Sequence, residues 1–172
     1  MAPAPDPIID DRTSGDLNSN LGTRWQFIAD TVMGGVSRGG LVAEVVDGRA
    51  GLHLTGEVSL ENNGGFVQAG LDLSPAGHLD ARGWSGIELA VRGNGETYNL
   101  HLRTADTRIV WQSYRASFRA GPQWERVRLP FADFTPYRID RPLDLSALRR
   151  LGLVAIGRAM AADLSVSRIA FY

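Results

Sequence analysis

Short runs in which apolar residues recur at every second position, each cut off by a turn dipeptide, constrain this chain more than any other feature. Leu52, Leu54 and Val58 alternate with His53, Thr55 and Glu57, and Ile87, Leu89 and Val91 with Glu88, Ala90 and Arg92. Tyr98, Leu100 and Leu102 alternate with Asn99, His101 and Arg103. A side-chain period of two turns one face of a strand to a core and leaves the other wet. Asp47-Gly48, Asn63-Gly64 and Asn94-Gly95 lie between such runs, and these residues accept the positive φ of a tight reversal at little cost. Further strands are predicted over 41–46, 66–72, 109–118, 125–129, 151–156 and 164–171. Leu164 and Val166 are out of phase with Ile169 and Phe171, which predicts a bulge in the last strand.

Helix is scarce. Asp144 can cap one short turn over 145–150 just after Pro142, and residues 131–134 can form another. About ten short strands with regular turn signals predict an all-β, two-sheet sandwich or barrel, and 20 glycines in 172 residues suit that many reversals. Residues 1–22 are rich in Pro, Asp, Ser, Asn and Gly without any period, and are read as a flexible arm. Residues 23–172 are read as a single β-sandwich domain, a length at which a chain supports one core.

Composition narrows the function classes. There is no cysteine, which excludes disulfides, thiol nucleophiles and thiolate metal sites. The net charge is −1, and all 18 basic residues are arginines scattered from Arg12 to Arg168. No electrostatic footprint for nucleic acid is present, and arginine-only usage points to a GC-rich, bacterial coding genome. No run approaches the roughly 20 apolar residues of a membrane helix, so no direct membrane insertion is expected. The opening 16 residues carry three prolines and four aspartates and resemble neither a signal nor a transit peptide, so a cytoplasmic location is expected.

Catalytic patterns are weak. Gly35-Val36-Ser37-Arg38-Gly39 fits the Gly-x-Ser-x-Gly motif of serine hydrolases, but that motif needs a helix after the serine, and a strand follows here. Hydrolysis by Ser37 is the remote alternative. His53, His78 and His101 have no metal-pair spacing, and His53 and His101 fall on wet strand faces. Asp30 and Glu61 lie in loops that only the fold could bring together as a glycosidase pair, whereas a loop carboxylate more often accepts backbone hydrogen bonds nearby. A phosphate cradle would want a lysine and a following helix, and both are missing. No catalytic residue, metal or cofactor is expected.

Binding features are stronger. The segments Asp30-Thr31-Val32-Met33-Gly34-Gly35-Val36-Ser37 and Glu61-Asn62-Asn63-Gly64-Gly65-Phe66 join strands through paired glycines, which allow sharp turns and close approach of another chain. Asp30, Met33, Gly34, Gly35, Ser37, Glu61, Asn62, Asn63, Gly64, Gly65 and Phe66 are therefore candidate binding residues. Trp111 is a further candidate: if Val110, Tyr114, Ala116 and Phe118 face the core, Trp111 is exposed beside Arg115.

The same two segments carry a family resemblance. Trp25 followed by the stretch from Asp30 to Ser37, then Gly56 through Glu61-Asn62-Asn63-Gly64-Gly65-Phe66, resembles the complex I intermediate-associated protein 30 family. Later echoes are Val91-Arg92-Gly93-Asn94-Gly95 with Tyr98 and Leu100, and Trp124 before Leu129-Pro130-Phe131 and Phe134. The similarity runs from about Trp25 to Phe171. It departs after Pro136, where the family often has Arg-Gly and this chain has Tyr137-Arg138-Ile139. The resemblance implies a galactose-binding-like jelly-roll sandwich. It also implies a non-enzymatic role, since mitochondrial members act as assembly factors for the membrane arm of respiratory complex I. The expected function is thus protein interaction, of an assembly or chaperone-like kind, with respiratory-complex subunits or assembly intermediates as partners. The alternative is a carbohydrate-binding module.

Overall fold

A computed structural model of the protein describes residues 6–172. In chain order its strands are β1 (Ile8–Asp10), β2 (Gln26–Ala29), β3 (Arg38–Val46), β4 (Arg49–Val58), β5 (Phe66–Asp72) and β6 (Gly86–Gly93). They continue with β7 (Thr97–Thr104), β8 (Ser113–Arg119), β9 (Glu125–Pro130), β10 (Thr135–Tyr137), β11 (Leu148–Ile156) and β12 (Met160–Phe171). Among the described residues the helical content is four single 3₁₀ turns, two of them Phe131–Asp133 and Leu145–Ala147, the latter capped by the Asp144 carboxylate. Among the described residues no helix is long and apolar enough to cross a membrane.

The strands form two antiparallel six-stranded sheets. One runs β3-β4-β12-β6-β9, with β1 added against β12, and the other runs β10-β8-β7-β11-β5-β2. Between them the alternating positions interlock: Leu52, Ile87, Leu89 and Val91 from the first sheet share a core with Leu71, Leu100, Leu102, Leu151 and Leu153 from the second. Each such side chain contributes roughly 1.5–3 kcal/mol through burial, and this common core is what fixes the sandwich. The all-β, two-sheet expectation holds.

Local chemistry sets the boundaries. Asp47 (φ 45°) and Gly48 (φ 82°) both adopt the left-handed conformation that a two-residue hairpin between β3 and β4 requires. The bulge predicted for the last strand occurs where the β12–β6 register shifts between Val166 and Arg168. By contrast, the strand expected over 109–118 begins only at Ser113. Residues 109–112 form a turn in which the Gln112 side chain accepts the N–H groups of Arg108 and Ile109. Val110 therefore stands exposed and does not face the core, whereas Tyr114, Ala116 and Phe118 do.

The expected flexible arm needs a correction over its described part; residues 1–5 lie outside the described residues. Ile8–Asp10 pairs with Ile169 and Ala170, on the side of β12 that β4 leaves unpaired beyond Val166. Ile9 is wholly buried, and the Asp10 carboxylate pairs with Arg12 at 2.6 Å and accepts the Trp25 indole N–H at 2.7 Å. Arg12 donates onward to the carbonyls of Asp16 and Asn18, so a polar sequence without periodicity is held by a buried ion pair.

Candidate functional site

Asp30 is the point from which the site is built. It opens the 3₁₀ turn Asp30–Met33 after β2, and its side chain is completely buried. Its carboxylate accepts the Ser37 hydroxyl, the Ser37 N–H at 2.9 Å, the Gly65 N–H at 2.6 Å and the Phe66 N–H at 3.2 Å. Burial opposes ionisation, but the bonds from Ser37, Gly65 and Phe66 outweigh it and hold the Asp30 carboxyl below its ordinary value. Glycine is required on both sides: a Cβ at Gly35 or at Gly64 would fall 2.5 Å from this carboxylate. The two glycine segments are thus two halves of one cradle around a single charge.

That arrangement decides what several candidate residues can do. Asp30 and Ser37 are buried and fully engaged, so neither reaches a partner directly. Ser37 gives its proton to Asp30 and accepts the Ser59 N–H at 2.9 Å. Strand β3 follows it at Arg38, so the hydrolase-like motif here is a structural bond and no nucleophile elbow. Asp30, committed to four donors, is no free partner for Glu61. Glu61 and Asn62 are exposed in the turn Glu61–Asn63, which Asn63 closes, while Gly34 follows the first turn as its left-handed cap. Among the described residues no cluster of three or more His, Asp or Glu could hold a metal ion.

Above the cradle lies a cleft of about 380 Å³ on the outer face of the second sheet. Val32, Met33, Leu60, Gly64, Gly65 and Phe66 form one side, and Val110, Trp111, Gln112 and Tyr137 form the other. Met33, Gly64, Gly65, Phe66 and Trp111 are the candidate residues that the fold brings together; Asp30, Gly34, Gly35, Ser37, Glu61 and Asn62 do not line it. Trp111 is 59% exposed, and Val32, Met33, Leu60, Val110 and Tyr137 are likewise uncovered. More than half of the large apolar side chains left exposed among the described residues therefore meet at this one depression.

The floor is polar and basic. His101 and Arg103 come from β7, Arg115 from β8, Arg150 from β11 and Gln68 from β5. His101 stands opposite Arg115 across the β7–β8 ladder, and Arg103 opposite Arg150 across β7–β11. Burial, reinforced by the Arg115 charge, pushes His101 down to about 3, so this histidine is neutral and not a solvated surface group. Burial, then the charges of Arg149 and Arg150, also lowers Arg103. Arg115 lies 3.6 Å over the Tyr137 ring and donates to Ser113. The sequence placed His101 and Arg103 on a wet face, but which strands would neighbour β7 is a long-range fact that alternation does not contain.

Comparison with known proteins follows this geometry. The sequence profile of the complex I intermediate-associated protein 30 family matches residues 16–166. The chain belongs to that family. No curated protein matches it significantly by sequence. Among solved structures it is similar to the family 11 carbohydrate-binding module of a cellulosomal cellulase of Clostridium thermocellum, with 14% identity, a TM-score of 0.75, and 99% of this chain and 95% of that one covered. A structure of the family 11 module in complex with a β-1,3-1,4-mixed-linked tetrasaccharide gives 13% identity, a TM-score of 0.73, and coverage of 99% and 96%. A family 30 carbohydrate-binding module from the same organism gives 17%, 0.60, and coverage of 79% and 89%. At such identities the likeness is one of fold: the CIA30 chain is a jelly-roll sandwich of the galactose-binding-like kind.

Proposed function

We propose that this CIA30-family chain is a non-catalytic binding domain of the assembly-factor type, which holds a segment of a partner protein in the concave cleft of its second sheet. The observation that carries the reading is the convergence of Val32, Met33, Leu60, Val110 and Trp111, all exposed, around one depression. Exposed apolar groups gathered in one place mark a surface that another molecule covers. Family membership supports a protein partner, and a subunit or assembly intermediate of a respiratory complex is the partner class that the family's description suggests. Affinity purification under native conditions tests this. Wild-type chain and a Val45→Ser control on β3 should retain the same partners, and Trp111→Ala and Met33→Ser should lose them. Partners indifferent to both cleft substitutions would refute the assignment.

A second reading, carbohydrate binding, is supported by the exposed Trp111 ring on the cleft wall and by the fold shared with a module solved with a bound tetrasaccharide. A glycan array that includes mixed-linked β-glucans discriminates the two: Trp111-dependent binding of a neutral oligosaccharide would favour this reading over the first.

A further inference from the structure

The floor of the cleft holds more positive charge than the protein itself neutralises: among the described residues, of its three arginines only Arg150 has a carboxylate partner, Asp72. Arg103 and Arg150 are directly opposite each other on adjacent strands, a placement in which like charges repel. Arg103 gives its Nη2 to the carbonyls of Thr107 and Ile109 and meets no carboxylate. Arg150 gives Nη2 to the Gln26 side chain at 3.3 Å and forms an ion pair with Asp72, directly opposite on β5, whose carboxylate stands 3.6 Å from its Nε. The Nε of each arginine is buried without a hydrogen-bond partner. Arg115 adds a second guanidinium, after Arg103, with no carboxylate partner among the described residues, held between Ser113 and Tyr137. Among the described residues no Asp or Glu lines the cleft.

Resting on the reading above, we infer that the cleft's ligand is an acidic segment of a partner protein, whose carboxylate lies over Arg103 and Arg150 while its apolar side chains meet Val32, Met33, Leu60 and Val110. A neutral sugar presents hydroxyls that both donate and accept; Gln68 and the neutral His101 could serve them, but they leave the charge of Arg103 and Arg115 unmatched. A carboxylate only accepts, and guanidinium forks match its geometry. The aliphatic walls distinguish a peptide from an acidic sugar, which has no comparable side chains to bury.

Selection of a random peptide display library against the full chain tests the inference. Peptides enriched by wild-type protein should carry Asp or Glu flanked by apolar residues. Their affinity should fall at least about tenfold in Arg103→Gln/Arg150→Gln, and should weaken as salt rises. The same double variant gives up the bonds of Arg103 to Thr107 and Ile109 and the pairing of Arg150 with Asp72 along with the opposed charges, and its circular dichroism should show it still folded. Selected peptides without acidic enrichment, or bound equally by the double variant, would overturn the charge inference while leaving the cleft assignment intact, provided Trp111→Ala abolishes their binding. Peptides insensitive to Trp111→Ala would remove the cleft assignment as well. Titration with oligogalacturonate is the remaining arm: arginine-dependent binding of it, with no peptide selected, would replace the peptide by an acidic polysaccharide.

Discussion

Asp30 ties two loops together through one buried carboxylate. Removing its carboxylate strands the Ser37 hydroxyl and the N–H groups of Ser37, Gly65 and Phe66 in a buried place. Each unsatisfied buried donor costs about 1–3 kcal/mol, less where water can enter. Asp30→Ala should therefore destabilise the fold by roughly 3 kcal/mol or more, read as a lowered denaturant midpoint with little change in slope. Gly35→Ala and Gly64→Ala should each cost roughly 1–3 kcal/mol, because the added methyl collides with the same carboxylate. The sequence displayed both glycine strings plainly but not their purpose: a bond between residues 35 positions apart is invisible to local pattern, so structural ligands of Asp30 looked like contact residues. Met33 and Trp111 both lie exposed, but the sequence argument for Trp111 assumed a strand with Val110 turned to the core, whereas residues 109–112 form a turn that leaves both side chains outside. Arg103, Arg115 and Arg150 were not legible, since their meaning depends on strand order.

Two elements are joined to the rest by charge. Strand β1 is tied through Asp10, whose carboxylate joins Arg12 and Trp25 in a buried network. Taking away one partner of such a pair leaves an uncompensated charge, so Asp10→Ala should cost about 3–5 kcal/mol. Hydrogen exchange should then accelerate first at Ile169 and Ala170, where β1 pairs with β12. A run of polar residues with no period gives no sign of this, because a single ion pair fixes it where periodic burial cannot. On the outer face of the first sheet, His53 of β4 lies between Glu44 of β3 at 2.5 Å and Asp163 of β12 at 2.7 Å. Burial disfavours its charge, yet the bonds to the two carboxylates outweigh burial and raise it above 6.5. A raised folded value means the clamp's stabilisation is complete below the unfolded value and fades as pH climbs through the folded one. The stability advantage of wild type over His53→Gln should thus be greatest just below pH 6.5 and shrink as pH rises above it. His101 acts in the opposite sense, since its depressed value withdraws stability as pH falls below 6.5; the difference between the two chains cancels that common contribution.

At the scale of the whole molecule, the alternating runs were enough to read two antiparallel sheets around one core, because period-two burial has few other solutions. Strand order, the cleft and its basic floor were not readable, being products of pairing between distant segments. One prediction belongs here. Trp111 is exposed, so Trp111→Ala should leave the melting temperature within about 2 °C of wild type while weakening partner binding by roughly tenfold or more. A large thermal shift would mean that the ring supports the fold and not recognition.

The buried staple at Asp30 and the apolar side chains displayed above it are different residues doing different jobs. Val32, Met33 and Leu60 can be exchanged without disturbing the bonds that set the course of their loops. Such a division lets specificity drift, under selection or in the laboratory, on a frame whose shape stays constant. One sandwich could in this way serve lineages whose binding targets have nothing in common.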